Sequence, residues 1–334
     1  MNLKKIIIIA EAGVNHNGSL SLAKKLILSA AKSGADYVKF QTFNPESMIK
    51  LDTKLAKYQQ RNIKKKTSQY KILKKYQLKE SHYKILINYS KKNNIKFISS
   101  PFDIESINFL SKLGLDFLKI PSGEINNFPY LKEIARLNKK LILSTGMSNL
   151  KEIGNSIKIL TKYGTKRKNI NILHCHSDYP SEAIDLNLKA IQTLKNKFKL
   201  NVGYSDHSMG IEAAIISVAY GSKIIEKHLT LSNKLPGPDH IASLEPNKFK
   251  KMVESIRQAE KMLGDGIKKP TKKEQENKLL VRKSLVASRN IKRGERFSSK
   301  NITTKRPALG KSPMMYEKMI NKISKKNYKK NDYI

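Results

Sequence analysis

Eight short runs of apolar and β-branched residues, most of them followed by an amphipathic helical stretch, most constrain what this chain can fold into. This alternation is typical of parallel α/β folds, because two parallel strands need a crossover connection between them. The predicted strands span Ile6–Ala10, Tyr37–Gln41, Lys96–Ser99, Phe117–Ile120, Leu141–Ser144, Asn171–Cys175, Asn201–Ser205 and Lys223–Lys227. The predicted helices span Ser21–Ser33, Ser106–Leu113, Tyr130–Leu137, Asn149–Tyr163, Leu186–Lys197 and Gly210–Tyr220. The pattern predicts a (β/α)₈ TIM barrel.

A doubly wound α/β sheet is the alternative, but the glycine-rich phosphate loop expected after its first strand is missing. At 334 residues the chain is long for a single domain. We assign residues 1–266 to the barrel, 267–278 to a polar linker, and 279–334 to a small β-rich module. We expect the Lys- and Gln-rich insertion Leu51–Lys79 to be a solvated helical excursion, with a rim or lid as the alternative.

The net charge of +39 raises the question of nucleic-acid binding, and basic clusters occur at Lys64–Lys66 and Lys272–Lys273. The lysines are nevertheless spread along the whole chain, and no zinc finger, helix-turn-helix signature or aromatic-interleaved basic stripe accompanies them. The sequence shows no signal peptide and no apolar run of membrane-spanning length. A single cysteine, Cys175, excludes an internal disulfide and suits a reducing compartment. We therefore expect a cytoplasmic protein that binds neither nucleic acid nor membrane.

Polar residues stand at or just past the carboxyl end of every predicted strand. In a barrel these ends converge on one face, where active sites are built. The residues are Glu11, Lys39, Gln41, Ser99, Ser100, Lys119, Ser122, Ser144, Thr145, His174, Ser177, Ser205, His207, Glu226 and His228. Core packing does not explain eight strands that all deliver polar groups to one mouth.

His207 and His228 each follow a buried strand, and together they form a half-open site for one divalent metal ion. A structural ion is usually enclosed by four protein ligands, whereas an incomplete set leaves room for water or substrate. Two partly buried histidines without a metal are the alternative.

Lys39 and Lys119 lie within strands, where an ammonium group needs a partner. Beside the hydroxyl groups of Ser100, Ser122, Ser144 and Ser205, the two lysines form a receptor for phosphate and carboxylate. The alternative is that each lysine extends separately to solvent.

Eight sequence blocks, in order along the chain, resemble the signature blocks of the sialic acid synthase family. They are EAGVNHNG at 11–18, VKFQT at 38–42, SPF at 100–102, KIPSGE at 119–124, LSTGM at 143–147, GYSDH at 203–207, EKH at 226–228 and GPD at 237–239. The carboxyl-terminal module resembles that family's SAF, or antifreeze-like, domain. The family condenses phosphoenolpyruvate with an N-acetylated hexose to give a nine-carbon 2-keto sugar acid and phosphate.

The resemblance implies a role for each matching residue. Phosphoenolpyruvate would be surrounded by Lys39, Ser100, Lys119, Ser122, Ser144, Ser177 and Ser205. His207 and His228 would bind Mn²⁺, with Mg²⁺ or Co²⁺ as alternatives. Glu11, Gln41, Glu124, Tyr179 and Asp239 would meet the sugar. Arg306 matches the arginine that a domain-swapped homodimer inserts into its partner's active site.

The reaction needs a carboxylate to accept the proton of the attacking water, and we choose Glu11 first, with Glu124 as the alternative. We take N-acetylmannosamine as the acceptor, which gives N-acetylneuraminate. The alternative acceptor is 2,4-diacetamido-2,4,6-trideoxymannose, which gives N,N'-diacetyllegionaminic acid. A barrel metal-dependent hydrolase is disfavoured, because no carboxylate is placed to bridge two metal ions.

Overall fold

A computed structural model describes residues 5–56, 59–60, 62 and 67–334 of the chain. The basic cluster Lys64–Lys66 and the first four residues lie outside the described part. The chain divides into two compact units, Met1–Gly264 and Asp265–Ile334.

The first unit is a closed barrel of parallel strands in sequential order, β1 to β8. The strands are β1 Ile7–Gly13, β2 Tyr37–Thr42, β3 Lys96–Pro101, β4 Phe117–Ile120, β5 Lys140–Ser144, β6 Ile170–Cys175, β7 Asn201–Asp206 and β8 Ile224–His228. Strand β8 closes the barrel by pairing with β1, so that His228 lies opposite Glu11. The predicted TIM barrel is confirmed, because each predicted strand overlaps the observed one.

The described helices of this unit surround the barrel or cover its mouth. They are α1 Leu20–Lys32, α2 Pro45–Met48, α3 Gln69–Tyr76, α4 Glu80–Lys92, α5 Ile104–Ser111, α6 Phe128–Arg136, α7 Leu150–Lys162, α8 Ala190–Phe198, α9 Glu212–Ala219 and α10 Pro246–Leu263. Local signals set several of their starts: Ser19, Asp103 and Asn149 each accept a backbone N–H of the following first turn through a side-chain oxygen. Asn149 and Glu152 complete a capping box at α7.

Two apolar layers hold the barrel together. The larger layer lies between the strands and the helices and includes Ile8, Leu26, Val38, Leu86 and Leu118, all essentially without solvent exposure. A smaller cluster fills the barrel interior. Gly203 belongs to an interior-facing position of β7, where a Cβ atom would come 2.2 Å from the Ile224 carbonyl oxygen. Glycine is required there because the neighbouring strand leaves no room for a side chain.

The second unit contains a two-stranded antiparallel sheet of β9 Ser284–Ala287 and β10 Ile302–Lys305. Its small core comprises Leu285, Ala287, Ile291, Phe297, Ile302, Met319 and Ile334. The helices are α11 Lys272–Val281 and the single turn α12 Tyr316–Met319. Helix α11 overlaps the end of the segment predicted as a linker and starts with a capping box formed by Thr271 and Glu274. No helix in the described residues is long and apolar enough to cross a bilayer.

Candidate active site at the barrel mouth

The inward-facing side chains change from apolar to charged or polar one step along each barrel strand. The apolar cluster inside the barrel consists of Ile9, Tyr37, Ile98, Phe117, Ile142, Leu173 and Ile224. Since residues i and i+2 face the same side of a strand, the next inward position lies two residues nearer the carboxyl end. Those positions hold Glu11, Lys39, Ser100, Lys119, Ser144, Cys175 and Glu226, and Ser205 follows Gly203 in the same way. Strand alternation alone therefore builds a polar layer across the barrel.

A cavity of about 700 Å³ opens above this layer. Most of the residues predicted for the site line it. They are Glu11, Lys39, Gln41, Ser100, Lys119, Ser122, Ser144, Ser177, Tyr179, Ser205, His207, His228 and Asp239. The structure thus gathers into one cavity side chains that are spread over more than two thirds of the sequence.

Glu226 bridges the two buried lysines at the floor of the cavity. Its Oε2 lies 3.4 Å from Lys39 Nζ, and its Oε1 lies 3.4 Å from Lys119 Nζ. Lys39 Nζ is also 3.1 Å from Glu11 Oε2. Lys39 donates a hydrogen bond to Ser100 Oγ, and Lys119 donates one to Ser144 Oγ. All four charged side chains are at most 5% exposed.

The four ionisable groups of this network differ in how strongly their surroundings favour the charged form. Burial opposes the ionisation of Glu226, but Lys119 and Lys39 outweigh it and hold its pKa at about 2. Burial alone would lower the pKa of Lys39, but the carboxylates of Glu11 and Glu226 raise it. In contrast, burial raises the pKa of Glu11 and lowers that of Lys119. Glu11 is therefore the carboxylate of the floor that takes up a proton most readily.

His207 and His228 lie side by side at the cavity wall, with their ring centroids 5.5 Å apart. Burial lowers the pKa of His207 to about 4 and that of His228 well below its ordinary value, so both rings are neutral near pH 7. His207 Nδ1 lies 2.5 Å from the His176 carbonyl oxygen and so donates its proton there, which leaves Nε2 as the nitrogen with a lone pair.

The histidine pair fits a divalent metal ion. A metal-ligating histidine usually donates through one ring nitrogen to a backbone carbonyl and binds the ion through the other. The second nitrogen of His207, Nε2, has only Ser205 Oγ near it, at 3.4 Å. His228 Nδ1 is buried and has no hydrogen-bond partner among the described residues. Within the same residues no group of three or more His, Cys, Asp or Glu side chains is placed to hold a metal. Two histidines alone are an incomplete ligand set, and the metal site stays a prediction.

Other predicted residues lie outside the cavity lining. Glu124 is the last residue of a short 3₁₀ turn and accepts a hydrogen bond from Asn127 Nδ2 at 2.6 Å. Arg306 belongs to the second unit and is exposed. Ser99 bonds the Phe40 carbonyl, Thr145 bonds the Leu173 carbonyl and His174 bonds the Leu186 carbonyl. These three strand-end residues face away from the barrel axis.

A close approach of two serines depends on Gly146. Its backbone N–H donates to Ser122 Oγ at 3.0 Å, and an added Cβ would lie 2.1 Å from Ser177 Oγ. Ser122 and Ser177 therefore both lie against the loop after β5, at the same corner of the cavity.

Sequence reasoning missed two features of this site. Glu226 appears in the sequence as a polar strand-end residue without a role, although its position two residues before His228 places it on the same face. The insertion was expected to be solvated, yet its Ala56, Gln59, Gln69, Ile72, Leu73 and Tyr76 line the cavity. The recurrence of Ile72 and Tyr76 four residues apart was the available signal for a buried helix face.

Comparisons with known proteins match both units of the chain. The model of the NeuB family matches residues 26–268, and the model of the SAF domain matches residues 282–334. The chain is 54% identical over 332 residues to the N,N'-diacetyllegionaminic acid synthase of Campylobacter jejuni, covering 99% of both chains. It is 44% identical over 308 residues to the enzyme of the same name from Legionella pneumophila, covering 92% of this chain and 86% of that one.

A similar solved structure is that of the N-acetylneuraminic acid synthetase from Leptospira borgpetersenii in complex with citrate. The TM-score is 0.72 at 37% identity, covering 82% of this chain and 90% of that chain.

Proposed function

Because this chain belongs to the NeuB family of enzymes that condense phosphoenolpyruvate with a sugar, we propose that its product is N,N'-diacetyllegionaminic acid. The acceptor is then 2,4-diacetamido-2,4,6-trideoxymannose. The sequence analysis placed N-acetylmannosamine first and this sugar second. The two similar synthases from Campylobacter and Legionella, both named for the legionaminic product, favour the second.

The observation that carries the phosphoenolpyruvate chemistry of the proposal is the pair of buried lysines bridged by Glu226 beside two neutral histidines, whereas the choice of sugar rests on the two relatives. Phosphoenolpyruvate carries a phosphate and a carboxylate, and the floor offers two ammonium groups, each hydrogen-bonded to a serine hydroxyl. Glu226 holds the ammonium groups in place through its two oxygens. Ser122 and Ser177 add hydroxyl donors from the cavity wall. Ser205 donates to Glu226 Oε1 at 2.9 Å and lies at the same cavity. A preformed anion receptor of this kind binds the substrate without reorganisation.

His207 and His228 hold the metal ion of the proposal, with Mn²⁺ as the first candidate and Mg²⁺ or Co²⁺ as alternatives. When bound, the ion supplies Lewis-acid polarisation of the acceptor's aldehyde group. The chain's own contribution is to keep both rings neutral by burial and to fix the His207 ring through the His176 carbonyl.

The carbon–carbon bond forms when C3 of phosphoenolpyruvate attacks the aldehyde carbon, whose oxygen then takes up a proton to become a hydroxyl group. Positive charge develops at C2 of phosphoenolpyruvate, and a water molecule adds there. Glu11 accepts the proton of that water, because its raised pKa makes it the better base of the floor. The bond from C2 to the phosphate oxygen then breaks, the C2 hydroxyl passes its proton to the departing phosphate, and phosphate leaves toward Lys39 and Lys119 with the 2-keto acid as the product. The proton that Glu11 accepted balances the one taken up by the former aldehyde oxygen.

Glu124 is less suited to be this base. Its pKa is raised by burial, but its carboxylate is bonded to Asn127 and it does not line the cavity. Gln41, Tyr179 and Asp239 line the cavity and meet the sugar in the proposal. Gln41 Nε2 also donates to Glu11 Oε1 at 3.1 Å, which orients the base.

Arg306 contributes from a second copy of the chain in the proposed domain-swapped homodimer. It is exposed and lies in the second unit, so that its guanidinium is available to an amide oxygen of the sugar. We place the reaction in the cytoplasm, where the free thiol of Cys175 persists.

The test is phosphate release from phosphoenolpyruvate with Mn²⁺, with the two sugars supplied in parallel and the products identified by mass spectrometry. We expect preferential turnover of the diacetamido sugar, no release in the presence of a chelator, and no change after nuclease treatment. Preference for N-acetylmannosamine would restore the neuraminate assignment. No release with either sugar, while Lys119→Met and the unchanged chain behave alike, would contradict the proposed activity.

A further inference from the structure

The upper part of the cavity differs chemically from its floor. Its wall includes the apolar residues Val14, Met48, Ile72, Leu73 and Phe102, with Gln59 and Gln69 beside them in the lining. These residues come from three separate places in the chain: the loop after β1, the loop after β3, and the segment 43–79 after β2. In a cavity of this kind the charged floor binds the reacting end of a substrate, and the apolar side chains contact its other end.

Three of these five apolar residues come from the described part of the segment 43–79, and two of the three, Ile72 and Leu73, belong to the insertion. Helix α3, capped by Ser68, directs Ile72 and Tyr76 into a cluster with Val14, Phe43 and Leu55, against which Met48, Leu73 and Phe102 pack. Asn62 Nδ2 donates to the Pro238 carbonyl oxygen at 2.7 Å on another loop of the mouth. Lys74 and Tyr70 both contact Glu46, which ties α3 to α2. The wall is thus attached at several points and is preformed.

The orientation of the acceptor follows from the chemistry of the floor. The aldehyde must lie beside the histidines and the anion receptor, because the new bond forms there. The far end of the six-carbon chain therefore extends from the floor toward the apolar wall. In the acceptor of the proposed function this end is a methyl group, since C6 carries no hydroxyl.

We propose that Met48, Ile72 and Leu73 determine specificity by receiving the C6 methyl group of a 6-deoxy sugar. This inference rests on the proposed function and adds the part of the acceptor that the wall recognises. A C6 hydroxyl placed against these side chains would lose its water without gaining a partner. An apolar pocket rejects an added hydroxyl only modestly, by up to about 100-fold in kcat/KM.

The test compares two acceptors that differ only at C6: 2,4-diacetamido-2,4,6-trideoxymannose and its 6-hydroxy counterpart. The variants are Met48→Gln and Leu73→Asn, which keep the length and shape of partly exposed side chains while adding polar atoms. Leu51→Asn is the matched control, because Leu51 belongs to the same insertion, is 70% exposed and does not line the cavity.

We expect the unchanged protein to prefer the 6-deoxy sugar by about 10- to 100-fold in kcat/KM. Each wall variant should reduce this ratio by at least about fivefold, and the control should leave it within about twofold. The KM for phosphoenolpyruvate should stay constant, because the floor is untouched.

A ratio near one in the unchanged protein overturns the inference whether or not the variants fold. An unchanged ratio in folded wall variants, checked by thermal unfolding, overturns it as well, as does an equal effect of Leu51→Asn. Failure of the proposed function looks different: the unchanged protein would then release no phosphate with either diacetamido sugar.

Discussion

Two buried ion networks lie on opposite faces of strand β8, and they are built differently. On the outer face, Lys227 Nζ contacts Asp206 Oδ2 at 2.7 Å and donates to the Ser208 carbonyl oxygen at 2.5 Å. Asp206 Oδ1 accepts from the backbone and hydroxyl of Ser208. On the inner face, Glu226 shares its oxygens between Lys39 and Lys119 at 3.4 Å each.

The difference lies in how completely each network is satisfied. The Asp206–Lys227 pair has no solvent exposure, and short hydrogen bonds surround both charges. In the inner network, Glu11 Oε2 and Glu226 Oε2 have no hydrogen-bond partner among the described residues, although both lie near Lys39. A buried ion pair whose hydrogen-bonding groups all have partners stabilises one arrangement of the strands. The longer contacts of the inner network, which lie beside a cavity, leave the lysines available to an anion. Neighbouring residues of one strand thus serve structure on one face and binding on the other.

The largest effect should come from the inner-face histidines. His228→Ala and His207→Ala are expected to lower phosphate release by at least about 10³-fold, because Lewis-acid stabilisation is worth several kcal/mol. Retention of Mn²⁺, measured on the isolated protein, should fall in both variants. His174→Ala is the matched control, since His174 faces away from the cavity and bonds the Leu186 carbonyl. Full Mn²⁺ retention in either inner variant would contradict the assignment of the ligands.

The outer pair should affect stability rather than chemistry. Lys227→Met leaves Asp206 buried without its cation and should lower the free energy of unfolding by about 3–5 kcal/mol. Exposed Lys223→Met should change it by less than about 0.5 kcal/mol. At a temperature where Lys227→Met remains folded, its kcat/KM should stay within about tenfold of the unchanged protein. A stable variant with lost activity would show that the two faces are not separable.

Asp239 allows a pH test of the inner region. Burial, with the charge of Glu11, raises the pKa of Asp239 to about 7, whereas the ordinary value is 3.8. The unfolded chain therefore loses this proton at lower pH than the folded chain, so stability falls as pH rises toward 7. In chelator-treated protein, the stability gained by Asp239→Asn should increase by about 2–3 kcal/mol between pH 5 and pH 8. Urea unfolding of both proteins at the two pH values measures the difference in their free energies of unfolding. The same difference at pH 5 and pH 8 would contradict the prediction.

The smallest expected effect concerns Arg306 and tests whether one chain supplies every residue of its own active site. Arg306→Ala should raise the KM for the sugar about tenfold, the loss of one charge-assisted hydrogen bond of about 1.4 kcal/mol, and leave the KM for phosphoenolpyruvate unchanged. Mixing Arg306→Ala with His228→Ala should restore the normal sugar KM in part of the sites, because one site of the mixed dimer then has both residues. No recovery after subunit exchange would argue against a shared site.

Much of the floor could be predicted from the sequence because strand alternation is a local property. Lys39 and Lys119 lie one inward step beyond Tyr37 and Phe117, so the apolar interior and the polar layer follow from the same period of two. The first choice of acceptor, N-acetylmannosamine, was supported less well than the floor, because the similar synthases favour the alternative sugar. N-acetylmannosamine and the 6-deoxy sugar differ at groups far from the aldehyde, and the floor residues do not touch that end.

The sequence by itself determined the barrel, the inward positions of Lys39, Lys119, His207 and His228, and the family, since each depends on local periodicity or on short blocks in order. Only the tertiary structure decided that Glu226 bridges both lysines, that Glu124 lies outside the cavity, and that the insertion contributes apolar side chains to the cavity wall. The physical reason is that these contacts join residues far apart in the chain. Their distances depend on how strands stagger and loops fold back, which no local pattern encodes.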